Sequence, residues 1–87
     1  MDRRSVTEPD GVEGRIREIM AVVFKRPIRR GEPVSRSTEP EWDSLRHVEL
    51  IFSIEDEFGV RFDEDELMEL TSLPALVGAV DRLTTPA

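Results

Sequence analysis

Apolar residues recur along this chain at helical spacing in three places, separated by stretches that are rich in turn-forming residues. The first set falls at i, i+4, i+7, i+8 and i+11 and consists of Val12, Ile16, Ile19, Met20 and Val23. Such spacing predicts one face of an amphipathic helix, which we expect to end near Lys25, before Pro27. Asp10 and Glu13 have the spacing of a capping box at its start.

The second segment, residues 26–43, contains three prolines and one glycine and has no regular apolar spacing. This pattern predicts a long connection, with Ile28 and Val34 as candidate anchors into the core. A connection of this length without its own helix or strand often carries function. A basic cluster lies at its start and within it, and a solvated loop is favoured over a site that attracts anions; the cluster consists of Lys25, Arg26, Arg29, Arg30 and Arg36.

Helix signals then mark the second half of the chain. Asp43 is a typical N-cap and Gly59 a typical residue after a last turn, so a second helix is predicted over Ser44–Phe58. After a short extended connector at residues 60–62, Asp63 and Glu66 have capping-box spacing. They predict a short acidic helix through about residue 70.

A final helix is predicted after Ser72, with Pro74 tolerated in its first turn. Its apolar face consists of Leu73, Leu76, Val77, Val80 and Leu83. The fold class is therefore all-α, a small four-helix bundle with a long loop between helices 1 and 2 and a short third helix. One domain over residues 10–84 is expected, with a flexible N-terminus at 1–9 and a flexible tail at 85–87.

The second helix carries two apolar stripes rather than one. With about 100° per residue, one stripe spans roughly 140° to 240° and consists of Leu50, Ile51, Ile54 and Phe58. The other spans roughly 300° to 360°, consists of Leu45, Val48 and Phe52, and is flanked by Glu49, Glu55 and Asp56. An exposed apolar patch with a charged rim is typical of a protein-binding face. Burial of both stripes is the alternative.

Charge and composition narrow the function classes. The net charge of −7 comes entirely from residues 44–87, which hold three arginines and ten acidic residues. An acidic half repels nucleic acid and anionic membranes and attracts basic protein surfaces. The chain has no cysteine, no apolar run long enough to span a membrane and no secretory signal, so a cytoplasmic protein is expected. We also expect a monomer.

The run WDSLRHVELI at residues 42–51, continued by IEDEFGV at 54–60, resembles the acyl and peptidyl carrier family. In that family an Asp-Ser-Leu motif bears the phosphopantetheine serine and is followed by Val-Glu-Leu and a Glu-x-x-Phe-Gly helix end. The similarity covers about residues 12–83. It implies an acyl-carrier-type bundle and a phosphoprotein in which Ser44 carries covalent 4'-phosphopantetheine derived from coenzyme A.

The resemblance also implies roles for other residues and proteins. A separate phosphopantetheinyl transferase attaches the arm, Asp43 helps to position that enzyme's metal, and the chain itself holds none. Acyl-loading and acyl-transfer enzymes dock on Leu45, Val48 and Phe52, with salt-sensitive contacts to Glu49, Glu55 and Asp56. Such a chain is a carrier of thioester-bound acyl intermediates, not an enzyme.

Two positions depart from the pattern of carriers of primary fatty acid synthesis. Many of those have an acidic residue after Asp-Ser-Leu and a glycine two before the serine, whereas this chain has Arg46 and Trp42. The departures favour a specialised pathway, of polyketide, modified-lipid or amino-acyl type, over primary fatty acid synthesis. Trp42 is expected to pack against the helix start, and His47 to be a boundary residue rather than a catalyst.

Other classes fit the sequence less well. A non-modified helical interaction module would use the same apolar stripe without any prosthetic group. A calcium loop starting at Asp63 would need glycine at position 68 and glutamate at 74, where the chain has Met68 and Pro74. An enzyme is disfavoured because there is one histidine, no cysteine and no phosphate-binding glycine loop.

Overall fold

The computed structural model describes residues 11–84, which form four α-helices and, within that range, no strand. The helices are α1 (Gly11–Phe24), α2 (Ser44–Phe58), α3 (Glu64–Leu67) and α4 (Leu73–Thr84). The predicted all-α fold, with a long first connection and a short third helix, is confirmed. The predictions for residues 1–9, for residues 85–87 and for Asp10 lie outside the described residues.

The core lies where α1 packs against both α2 and α4. Each of these helices contributes side chains with no exposed surface, namely Ile16, Met20, Leu50, Ile54, Leu76 and Val80. They belong to the predicted apolar faces, because helical spacing puts them on one side of each helix. Leu83 was expected on the buried face of α4 but is exposed, since it lies in the last turn, and Ala79 is buried instead. Between residues 11 and 84, no helix has the length and apolar character needed to cross a membrane.

Local capping chemistry sets both ends of α2. Asp43 has an extended backbone, and its carboxylate accepts a hydrogen bond of 2.8 Å from the Arg46 backbone N–H. At the other end Gly59 adopts the left-handed conformation, with φ 66°, and its N–H donates to the Glu55 carbonyl. Glycine suits this position because it has no Cβ to clash there. The predicted bounds of α2 are confirmed.

The third helix is shorter than predicted and lacks the predicted cap. It ends at Leu67 rather than near residue 70, and the Asp63 side chain makes no capping hydrogen bond. The Leu67 carbonyl accepts instead from the His47 ring and from the Leu70 backbone N–H. Because these two groups bond the Leu67 carbonyl in place of the backbone N–H four residues later, α3 does not continue. An ion pair between Glu66 and Arg82 joins α3 to α4.

The long connection is tied to the start of α4 by backbone hydrogen bonds. The Leu73 N–H donates to the Val34 carbonyl at 2.9 Å, and the Arg36 N–H donates to the Thr71 carbonyl at the same distance. Between them, residues 35 and 72 form an isolated antiparallel bridge. Val34 is buried and Ile28 is half-buried, so both predicted anchors are confirmed.

The expectation of solvated basic residues in this connection is wrong for Arg26. Its guanidinium bonds the carboxylates of Glu32, at 2.7 Å, and of Glu39, at 2.6 Å. Glu39 is buried, because the guanidinium and the Glu41 N–H satisfy its carboxylate oxygens. These hydrogen bonds raise the pKa of Arg26 above its usual value, so the charge is permanent.

A second arginine, Arg17 of α1, contacts the connection and is buried. Its guanidinium pairs with Glu13 at 2.8 Å and donates to the backbone carbonyls of Arg29 and Glu32, each at 2.7 Å. A buried charge is tolerated when it is paired and its donors are satisfied, as they are here. The connection is therefore held by the ion pairs of Arg26 within it and by the hydrogen bonds that Arg17 donates to its backbone.

Candidate functional site

Ser44 is the first residue of α2, and its side chain is exposed. The neighbouring Asp43 carboxylate is engaged at the Arg46 N–H, so it caps the helix and leaves the serine hydroxyl uncovered. Among the described residues, the hydrogen-bond partner of Ser44 Oγ is the Arg36 guanidinium, whose Nη2 lies 3.2 Å away. The serine therefore presents an accessible hydroxyl with a cation beside it and, within residues 11–84, no general base hydrogen-bonded to it.

Trp42, two residues before the serine, fixes the chain at this end of α2. Its side chain is buried, with its ring 5.4 Å from that of Phe24 in α1. The indole N–H donates to His47 Nδ1 at 3.0 Å, and the two rings stack at 6.0 Å. The prediction that Trp42 packs against the helix start is confirmed.

His47 is buried, not at the boundary as expected, and it connects three parts of the fold. Because the indole N–H can only donate, Nδ1 must accept. The proton then lies on Nε2, which donates to the Leu67 carbonyl at 2.9 Å. Both ring nitrogens are thus used in holding the connection, α2 and α3 together, and neither is directed at Ser44.

The two apolar stripes of α2 have different environments. Leu50, Ile51 and Ile54 are buried in the core. Leu45, Val48 and Phe52 are instead 67%, 48% and 64% exposed. The alternative in which both stripes are buried is therefore wrong, and an apolar strip runs along α2 from the residue next to Ser44. We call Leu45, Val48 and Phe52 the exposed strip.

Acidic side chains lie along the exposed strip, as expected from the sequence. Glu49 and Asp56 are exposed. Glu55 is half-buried, and one of its carboxylate oxygens accepts a hydrogen bond of 2.8 Å from the Phe62 N–H. Glu55 thus also stabilises the connector after α2, while its role in partner contacts stays a prediction.

Arg46, which follows Asp-Ser-Leu, is an engaged cation. Its guanidinium pairs with the carboxylate of Glu41 and also contacts the carbonyl of that residue. The hydrogen bond to Glu41 raises the pKa of Arg46 above its usual value. Of the two arginines near the head of α2, Arg46 therefore has a carboxylate partner, whereas Arg36 contacts the serine hydroxyl.

Two features of this region were not predicted as parts of the site. Arg36 was grouped with the solvated loop residues, because sequence alone does not show that the connection folds back to bring it to Ser44. Met68, one residue after the carbonyl that His47 bonds, is 74% exposed. The sequence predicted a helix through about residue 70 that includes Met68, whereas α3 ends at Leu67 and leaves Met68 outside it.

The geometry suits a covalently attached group that extends into solvent. The hydroxyl is accessible, a cation lies against it to match a phosphate, and the adjoining exposed strip offers a surface for a partner protein. The chain matches the family described as the phosphopantetheine attachment site over residues 14–80, which is most of its length. It belongs to that family.

Members of this family carry covalently attached 4'-phosphopantetheine, so the chain is a carrier protein of the acyl or peptidyl type. The resemblance seen in the motif around Ser44 is confirmed at the level of the family. No curated protein matches the chain.

Proposed function

We propose that Ser44 is the attachment residue and that the chain presents acyl intermediates to partner enzymes that dock on the exposed strip. The observation that carries this proposal is the accessible Ser44 hydroxyl at the head of α2, next to an exposed apolar surface. Ser44 lies within the matched range and in the family's Asp-Ser-Leu motif. When attached, the arm supplies a thiol that holds acyl groups as thioesters.

Ser44 acts as an acceptor, and a separate transferase supplies the catalysis. Its Oγ attacks the phosphorus that bears the pantetheine in coenzyme A, forming an ester bond as the pyrophosphate linkage breaks. Adenosine 3',5'-bisphosphate leaves, and the hydroxyl proton passes to the transferase or to solvent. Asp43 keeps the serine in the first turn by capping α2, and Trp42 and His47 hold that turn against the core.

The exposed strip and the acidic side chains beside it provide the docking surface. Apolar side chains at the centre of an interface contribute most of the affinity, while charges at its rim raise the association rate and make it salt-dependent. The second half of the chain carries the whole net charge, so the partners are expected to present basic surfaces.

The pathway is a specialised one, of polyketide, modified-lipid or amino-acyl type. Support comes from the sequence at the head of α2, where Arg46 stands in place of an acidic residue and Trp42 in place of a glycine. An enzyme that recognises an acidic residue at position 46 would meet the opposite charge. The measurement is the rate at which a malonyl transferase of primary fatty acid synthesis loads malonyl onto the arm of the modified chain. A rate equal to the one measured with that enzyme's own carrier would contradict the specialised pathway.

Intact-mass measurement tests the attachment. Wild type incubated with coenzyme A and a promiscuous transferase is expected to gain about 340 Da, the mass of one phosphopantetheine arm. Ser44→Ala should gain nothing, whereas Ser37→Ala, which removes an exposed hydroxyl from the connection, should gain as much as wild type. Wild type without a mass gain, or Ser44→Ala with one, would refute the proposal and favour a non-modified interaction module.

A further inference from the structure

The arginine that contacts the attachment residue has no carboxylate partner in the described part of the chain. Arg36 Nη2 donates to Ser44 Oγ at 3.2 Å, and this is the hydrogen bond that its guanidinium makes there. The other arginines near this end of the fold are engaged, since Arg46 pairs with Glu41 and Arg26 pairs with Glu32 and Glu39. Arg36 is thus a half-buried cation directed at a neutral hydroxyl.

The contact between Arg36 and Ser44 is exposed, but the backbone on each side of it is held in place. Its own N–H bonds the Thr71 carbonyl, and the residue before it forms the bridge to Ser72. On the other side of the contact, Ser44 is held by the cap at Asp43. Two separately anchored segments therefore bring the guanidinium and the hydroxyl together.

Esterification of Ser44 changes what the guanidinium contacts. The phosphorus bonds to the same oxygen that Arg36 already approaches, so anionic phosphate oxygens arise one atom further along the arm. Arginine binds anionic phosphate oxygens more strongly than a neutral oxygen, and its planar fork suits two of them at once. The new negative charge also lies close to Asp43, whose repulsion a nearby cation offsets.

We propose that Arg36 is a positioning residue that binds the phosphodiester at the base of the arm in the modified chain. It fixes the first bonds of the arm against the connection and leaves the distal thiol free. This inference rests on the proposed attachment at Ser44. It assigns a function to a residue of the long connection that lies outside the Asp-Ser-Leu motif and the exposed strip.

Three variants test the inference in the modified protein. Arg36→Gln removes the cation, Arg36→Lys keeps a charge without the fork, and Arg61→Gln removes a cation from the far end of α2, where Arg61 follows Gly59 and Val60. The readouts are the ³¹P NMR resonance of the arm, the Arg36 side-chain N–H resonance before and after modification, and the difference in Tm between modified and unmodified forms.

We expect attachment of the arm to shift the Arg36 side-chain N–H resonance of wild type. Attachment should also raise Tm more, or lower it less, in wild type than in Arg36→Gln. The difference should be about 2–6 °C, the scale of one exposed ion pair in a domain of this size. The ³¹P resonance of Arg36→Gln should differ from wild type, Arg36→Lys should fall between them, and Arg61→Gln should match wild type. Salt at about 1 M should move the wild-type resonance toward that of Arg36→Gln.

The outcomes separate this inference from the attachment on which it rests. If wild type gains no mass, the attachment at Ser44 is wrong and the inference falls with it. If all variants gain the arm but Arg36→Gln and wild type share the same ³¹P resonance and Tm difference, only the role of Arg36 is refuted. An effect of Arg61→Gln equal to that of Arg36→Gln would also refute it, because the cause would then be net charge.

Discussion

The buried His47 makes two hydrogen bonds, and His47→Leu removes both at nearly constant volume. The Trp42 indole N–H then has no acceptor in a buried site, which costs about 1–3 kcal/mol. The Leu67 carbonyl loses less, because it still accepts from the Leu70 N–H at 3.3 Å. We therefore expect a loss of about 2 kcal/mol in the free energy of unfolding, or about 8–16 °C in Tm.

Urea unfolding followed by far-UV circular dichroism measures this loss, and a double-mutant cycle with Trp42→Phe assigns it. Phenylalanine has no N–H to leave unpaired, so the double variant should be more stable than the sum of the single effects by about 1–2 kcal/mol. Additive effects, or a His47→Leu variant within about 0.5 kcal/mol of wild type, would refute the role assigned to this histidine.

The remaining predictions concern docking and pH. Phe52→Ala should lower kcat/KM of a phosphopantetheinyl transferase about tenfold. The control Val22→Ala, which removes an exposed apolar side chain from α1, should leave kcat/KM within about twofold of wild type. Equal effects would exclude the exposed strip as the docking surface. Hydrogen bonds from Arg26 and from the Arg29 backbone lower the pKa of Glu32 from its usual value of 4.5. The ionised Glu32 therefore stabilises the fold fully above about pH 4.5, and this contribution is lost as the pH falls through the folded-state pKa. Glu32→Gln should therefore show a smaller loss of urea midpoint than wild type on acidification below about pH 4.5, and an unchanged pH profile would contradict this assignment.

The sequence predicts best those features whose causes are local. The ends of α2 depend on Asp43 and Gly59, each of which acts within one turn of the helix. The separation of its two stripes follows from helical spacing alone, although only the fold decides which stripe is exposed. The family motif lies within these same turns, so the candidate attachment residue could be recognised from the sequence.

Features that depend on distant partners could not be predicted. The ion pair of Arg26 with the buried Glu39 joins residues 13 apart, and Arg17 reaches carbonyls 12 and 15 residues away. Charge composition cannot distinguish such contacts from solvated side chains. The end of α3 is similar, because it depends on a hydrogen bond from His47, 20 residues earlier in the chain.

Peptide mapping of the modified protein locates the arm directly. Trypsin cleaves after Arg36 and Arg46, so it releases a peptide of residues 37–46 that contains three hydroxyl residues, Ser37, Thr38 and Ser44. Fragment ions should place an added mass of about 340 Da, that of one phosphopantetheine arm, on Ser44 alone. The same mass on Ser37 or Thr38, or on any other peptide, would show that the exposed hydroxyl at the head of α2 is not the attachment point.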